Sequence, residues 1–304
     1  MRDVLRDGRI EVMRSKLFVP ADRPALFPKA LASKADAICF DLEDSVLPAQ
    51  KAEARNRLKD FLASDIFTRK AILVRVNNVR SSDFAEDISA AVSAGVAMLA
   101  LPKVEDPSEI NEAVATLVHL EKKLNLKNPI GILATIESAR GLRLAASIAS
   151  ADERVVGLQL GLADLFETLG IQQGDSAATH QVRLQLRLAA GEAGIPCFDS
   201  AFANFKDEEG FIREAHVARS LGFAGKSCIH PGQIEAANRI FSPRAEEIAD
   251  AARCLEAANA AAADGAGAFA LDGSMVDTPF VRRAKSILAM AEKIAAMEQA
   301  PGES

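Results

Sequence analysis

Tryptophan and tyrosine are absent from this 304-residue chain, and 15 phenylalanines supply all of its flat aromatic surface. Few rings are left to stack on bases, which disfavours a single-strand nucleic-acid binder. Positive charge is not in excess either. Thirty-six Lys and Arg stand against 42 Asp and Glu, for a net charge of −6, so the chain lacks the overall basic field that a polyanion partner needs. The four cysteines, Cys39, Cys197, Cys228 and Cys254, show no Cys-x-x-Cys spacing. Three of them lie in apolar runs and read as small buried thiols, which excludes a disulfide framework and a zinc site. No apolar run approaches the roughly 20 residues that a membrane span needs. The opening stretch MRDVLRDGRIEV carries acids where a secretory signal has its apolar core. The expected location is cytoplasmic, with no membrane and no nucleic acid as partner.

What is present is a soluble-type composition, 49% hydrophobic and 26% charged. Short apolar runs recur at Lys16–Pro20, Ala37–Asp41, Ile72–Val76, Met98–Pro102, Ile130–Ile136, Val155–Leu160, Ile195–Asp199 and Gly225–His230. They do not alternate cleanly, as expected of strands buried on both faces. Amphipathic stretches separate them, at 25–34, 50–62, 83–93, 109–123, 141–148, 178–193 and 210–221. Strand alternating with helix predicts parallel βαβ units. Eight units in about 230 residues fit a (β/α)8 TIM barrel better than a doubly wound sheet, which usually has fewer strands and a glycine-rich first turn. The barrel is expected over residues 13–243, with a loose extension over 1–12 and Met13 as a plausible natural start. Residues 244–304 read as a C-terminal helical cap. Within that cap, 269–279 is expected to be irregular.

Two acids each close an apolar run: Glu137 in ILATIESARG and Asp164 in VVGLQLGLADL. Active sites of parallel α/β proteins form at such strand ends. Paired carboxylates with no Cys or His beside them suit a hard divalent cation such as Mg2+. Both acids are also compatible with helix N-terminal or salt-bridged positions. The second strand ends in Asp41, Glu43 and Asp44, three acids in four positions, whose repulsion needs a cation or hydrogen bonds to offset it. Asp41 and Glu43 share one face of an extended segment and Asp44 takes the other. Arg75, inside the run ILVRV, is costly unless paired with a carboxylate or an anionic ligand. Asp41 or Glu43 is its expected partner, and Asn77 is expected to join it at the barrel mouth. Lys103 after ALP reads as a salt-bridged lysine more readily than as a Schiff-base nucleophile. His230 reads as a hydrogen-bonded structural residue.

The segments RSKLFVPADRP (14–24), CFDLEDSV (39–46), KAEAR (51–55), VRVN (74–77), LPKVE (101–105), IESARG (136–141), GLADL (161–165) and GFAGKSCIHPGQ (222–233) resemble the citrate lyase β-subunit-like proteins. These belong to the HpcH/HpaI aldolase/citrate lyase group, which also holds malyl-CoA and citramalyl-CoA lyases. The resemblance implies a (β/α)8 barrel, a homotrimer, and Mg2+-dependent chemistry on a carbon–carbon bond beside a CoA thioester. It implies Glu137 and Asp164 as metal ligands and Arg75 as the cation on the carbonyl or enolate oxygen. Arg23 and Lys29 fall where the nucleotide end of CoA is contacted, and Glu43 and Asp44 complete the candidate substrate-binding set. Asp277, in GSMVDTP, matches an acid that some members insert into the adjacent subunit's site; Asp41 or Asp277 is the expected proton carrier. The free-pyruvate aldolase branch usually has His after its second-strand Glu, whereas here Asp44 follows Glu43.

The implied reaction is cleavage of a malyl-, citramalyl- or citryl-CoA type thioester to acetyl-CoA (or a homologue) and a small 2-oxo acid. Three alternatives stay open. They are malate-synthase-like condensation with thioester hydrolysis, a citrate lyase subunit working with a separate acyl carrier, and a non-catalytic CoA-binding barrel.

Overall fold

The computed structural model describes residues 12–64, 70–93, 95–263 and 267–299. Most of the loose extension expected over 1–12, and part of the break after Ala263, lie outside the described residues. Val12 and Met13 are buried.

Eight parallel strands close into a barrel in chain order, which is the (β/α)8 fold expected from the sequence. They are β1 (Ser15–Pro20), β2 (Ala37–Asp41), β3 (Ala71–Arg75), β4 (Met98–Leu101), β5 (Gly131–Ile136), β6 (Val155–Leu160), β7 (Cys197–Asp199) and β8 (Gly225–Cys228). The helices of the barrel are α1 (Phe27–Leu31), α2 (Lys51–Ala63), α3 (Phe84–Ala91), α4 (Pro107–Lys123), α5 (Ala139–Arg143), α6 (Ala145–Ser150), α7 (Leu162–Leu169), α8 (Ser176–Glu192), α9 (Glu208–Ser220) and α10 (Ile234–Phe241).

Side chains alternate between two apolar layers, as the period of a strand requires. Leu17, Ile38, Phe40, Ile72, Val74, Ile132 and Leu158 face the helices in one large core. Cys39, Leu73, Met98, Ala100, Leu133, Val156 and Phe198 fill the barrel's interior in a second, smaller cluster. Caps fix where several helices begin. The side chains of Asp106, Ser138, Asp175 and Asp207 accept the backbone N–H of Ser108, Gly141, Ala178 and Gly210 respectively. Far from the strands' C-terminal ends, Arg14 grips Asp36 with Nε at 2.9 Å and Nη2 at 3.0 Å, pinning the starts of β1 and β2.

Several expected boundaries change. The stretch 141–148 divides into α5 and α6. Asp164 was expected where a strand gives way to a loop, but it lies in the first turn of α7, which starts directly after Gly161. The apolar run continues from β6 into LADLF, so hydrophobicity alone hides the switch of period. The thiols are as expected: Cys39, Cys197 and Cys228 are buried, and burial pushes each up to about 12.

The chain divides into two compact units between Phe241 and Ser242. The second holds α11 (Ala245–Ala263) and α12 (Thr278–Gln299), packed on each other, with β9 (Phe269–Leu271) and β10 (Ser274–Val276) between them in sequence. The segment expected to be irregular is thus an antiparallel hairpin. Asp272 and Gly273 turn it, with φ of 50° and 78°, the pair of positive angles that a tight hairpin turn selects Asp-Gly to supply. Among the described residues no helix is long and apolar enough to cross a membrane.

Closure of the barrel depends on Gly225. A Cβ there would stand 2.0 Å from the Met13 carbonyl oxygen and 2.8 Å from that of Arg14, so β1 and β8 could not keep their spacing. Gly225→Ala is expected to destabilise the protein by about 3 kcal/mol, read as a lower denaturant midpoint. An unchanged midpoint would show that the strands can move apart freely.

Candidate active site

The C-terminal strand ends gather five carboxylates and two cations. Arg75, the last residue of β3, meets Asp41, the last residue of β2, with Nε and Nη2 each 2.7 Å from a carboxylate oxygen. The two residues are register partners in the sheet, so the strand pairing itself sets this two-point contact. Nη1 of Arg75 lies 2.9 Å from Glu43 Oε2. Asp41 also accepts the backbone N–H groups of Glu43 at 3.0 Å and Ser45 at 3.3 Å. Burial alone would raise the Asp41 carboxyl; the hydrogen bonds and charge of Arg75 hold it below the usual range. Arg75 is correspondingly raised, because its acidic neighbours outweigh burial. Asp41 or Glu43 was the expected partner of Arg75, and the structure pairs it with both.

Lys103 follows β4 in a left-handed conformation, with φ of 53°, a strain of about 1 kcal/mol or more for a residue with a side chain. That geometry turns its two ends in different directions. Its backbone N–H donates to Glu137 Oε1 at 2.6 Å, and its ammonium reaches Glu43 Oε1 at 2.7 Å and Asp44 at 3.1 Å. Asp44 therefore does not point away from Glu43, because the chain turns directly after β2 and one lysine collects both acids. Ion pairing raises the Lys103 ammonium in spite of burial, so it is no neutral amine for Schiff-base chemistry.

Glu137 directly follows β5 and is buried, and Asp164 stands half-buried in the first turn of α7. Gly161 makes their approach possible. A Cβ at 161 would lie 2.3 Å from Glu137 Oε2 and 2.4 Å from Glu137 Cβ. The carboxylate occupies the space that any other residue would fill. Burial first, then the negative charges of Glu43 and Asp164, push Glu137 up to about 8. The side chains of Arg75 and Lys103 are engaged by Asp41, Glu43 and Asp44, and the crowding of acids favours a proton on Glu137. Among the described residues, no three His, Cys, Asp or Glu side chains converge as a metal cage. A hard cation here would take two carboxylates and leave its other positions to water and substrate oxygens.

Other expected residues fall elsewhere. Arg23 and Lys29 are exposed, in the turn after β1 and in α1. Asp277 is exposed between β10 and α12, in the second unit. Asn77 does not line the mouth. Its amide donates to Leu42 O at 3.0 Å and Asp87 Oδ2 at 2.6 Å and accepts from Lys51. Arg55 also holds Asp87, at 3.1 Å. The KAEAR segment is thereby a clamp behind the tips of β2 and β3, a role its spacing did not reveal. His230 is structural, accepting from Gly232 N–H at 3.1 Å and stacking on Phe205. A separate cleft of about 720 Å3 lies on the outside of the barrel between α8 and α9, lined by His180, Arg183, Arg213 and Glu214 among others. It contains none of the strand-end carboxylates described above.

Residues 14–231 match the model of the HpcH/HpaI aldolase/citrate lyase family. The chain belongs to this family. The citrate lyase subunit beta of Leuconostoc mesenteroides subsp. cremoris is 36% identical over 282 residues, covering 91% of this chain and 93% of that protein. A (3S)-malyl-CoA thioesterase of Cereibacter sphaeroides is 36% identical over 284 residues, with 93% and 96% covered. Among solved structures, CitE from Mycobacterium tuberculosis, in complex with magnesium, acetoacetate and coenzyme A, superposes with a TM-score of 0.74 at 36% identity. That match covers 93% of this chain and 99% of the other.

The raised Glu137 carboxyl makes a signed prediction. An acid whose folded-state value lies above its ordinary 4.5 holds its proton more tightly when folded. Its contribution to stability is complete below about pH 4.5 and is lost as the pH rises through about 8. Without divalent cation, the protein is expected to weaken across that window, and Glu137→Gln to remove most of the slope. Denaturation midpoints measured in chelator across the range check this; equal slopes in the two proteins would refute it.

Proposed function

We propose that the chain is a Mg2+-dependent carbon–carbon lyase acting on a 3-hydroxyacyl-CoA thioester of the malyl-, citramalyl- or citryl-CoA type. The products are acetyl-CoA, or a close homologue, and a small 2-oxo acid. The observation that carries this reading is the uncompensated Glu137–Asp164 pair standing beside a guanidinium fixed by Asp41. The magnesium and coenzyme A of the CitE neighbour support the same assignment. Glu137 and Asp164 would hold the cation. When bound, it supplies Lewis-acid polarisation of the oxo acid's oxygens.

The remaining chemistry falls to the chain's own side chains. Arg75 is 18% exposed at its side chain, enough to reach a substrate oxygen while Asp41 keeps the fork oriented. It would stabilise the charge that collects on the thioester oxygen as the acyl enolate departs. Asp41, with Arg75 and two backbone N–H groups on its oxygens, is a positioning residue in this scheme. Proton transfer at the hydroxyl and at the enolate carbon is assigned to Asp277, supplied by a neighbouring copy in a homotrimer. Lys103 and Asp44 border the mouth and orient Glu43. Arg23 and Lys29 are assigned to the nucleotide end of CoA. A cytoplasmic location is proposed with this activity.

The thioesterase relative favours a second reading, hydrolysis of the same thioester. One panel separates them: malyl-CoA, citramalyl-CoA and citryl-CoA, each with and without Mg2+, following acetyl-CoA, free CoA and oxo acid. Lyase activity yields acetyl-CoA and oxo acid together, whereas hydrolysis yields free CoA. Glu137→Ala is expected to abolish metal binding and turnover. Arg75→Lys, which loses the two-point fork, is expected to lower kcat by about 10²–10³-fold. No turnover of any thioester, with CoA still bound, would establish a non-catalytic barrel instead.

A further inference from the structure

One buried charge inside the barrel takes no part in that reaction. Lys16 lies on β1 with 1% of its surface exposed. Its ammonium donates to Gln159 Oε1 on β6. β1 is paired only with β2 and β8, and β6 only with β5 and β7. The Lys16–Gln159 contact therefore crosses the barrel's interior instead of joining neighbouring strands.

An ammonium has no acceptor capacity, so it fixes which way the Gln159 amide faces. The oxygen must look at Lys16, and the NH2 group is left to donate to Leu160 O at 3.0 Å and Asp199 O at 2.8 Å. Leu160 is the last residue of β6 and Asp199 the last of β7. Directly after Leu160 comes Gly161, whose N–H donates to Ile136 O at 2.9 Å and whose missing Cβ admits the Glu137 carboxylate. Asp164 follows within the first turn of α7. An apolar side chain at position 16 would fill similar space without the cost of burying an ammonium, so packing alone does not account for a lysine there.

We propose that Lys16, acting through Gln159, is the positioning residue that fixes the end of β6 and with it the separation of Glu137 and Asp164. The proposal rests on the reading of those two acids as metal ligands. It makes Lys16 a remote support of the site, contributed by the opposite barrel wall and touching neither ligand.

The test compares three variants with the parent protein. Lys16→Met keeps the length of the side chain and removes its charge; Gln159→Leu removes the amide and stands in if Lys16→Met does not fold. Each is expected to weaken Mg2+ binding, measured by calorimetry, by about tenfold, the scale typical of lost outer-sphere support. Each is also expected to speed amide hydrogen exchange at Gly161 in metal-free protein. Arg154→Met breaks the buried pair with Glu121, 2.5 Å apart at the start of the same strand. It is expected to lower the melting temperature and leave both readouts unchanged. Unaltered Mg2+ affinity and Gly161 exchange in Lys16→Met and Gln159→Leu would overturn the proposal, as would an equal loss in Arg154→Met. If the parent binds no Mg2+, the ligand reading has failed, and exchange at Gly161 still decides whether Lys16 holds the strand end.

Discussion

The two-point contact between Arg75 and Asp41 is the interaction on which the barrel mouth depends. Five carboxylates brought together at strand ends would repel one another in a poorly solvated space. A guanidinium in the same space is costly without partners. Each difficulty resolves the other, and adjacent strand register puts the groups in contact without a flexible linker. Once Asp41 has taken Nε and Nη2 of Arg75, Glu43 faces Nη1 as an ion pair at 2.9 Å, and Lys103 gathers Glu43 with Asp44. Glu137 and Asp164 are the acids of this cluster that those two cations do not pair.

The barrel provides this arrangement with two kinds of polar support. Outside the strands, Arg183, Asp199, Lys226 and Glu214 form a buried ion network between β7, β8 and the helices that cover them. Such a network contributes orientation more than net stability, because desolvation offsets much of its Coulomb energy. Inside the strands, Lys16 and Gln159 interrupt a mainly apolar filling.

Much of the fold was legible because strands buried on both faces leave short apolar runs between amphipathic stretches. The bounds read for β2 and β6 coincide with those observed. The helix α7 was not legible, since its apolar residues continue those of β6 and only Gly161 separates them. The β9–β10 hairpin escaped because each strand is three residues long, too short to show alternation. In the candidate site, residue types within and just after apolar runs pointed to Glu137, Asp164, Asp41 and Arg75. The chain turn that brings Asp44 to Lys103, the left-handed backbone of Lys103 and the Asn77 clamp depend on local geometry that residue identity does not encode. The Lys16–Gln159 contact spans 143 positions, and no pattern in the sequence links its ends.

Gly161 carries a consequence for how this protein can change. Its Cα hydrogen faces a carboxylate that occupies the volume of a methyl group, so the junction of β6 with α7 admits no larger residue while Glu137 stays in place. Drift toward new substrates is closed off along that seam. On the Asp44 side of the mouth, by contrast, side chains can be exchanged without moving Glu137. The seam is a fixed point around which the rest of the mouth is free to diversify.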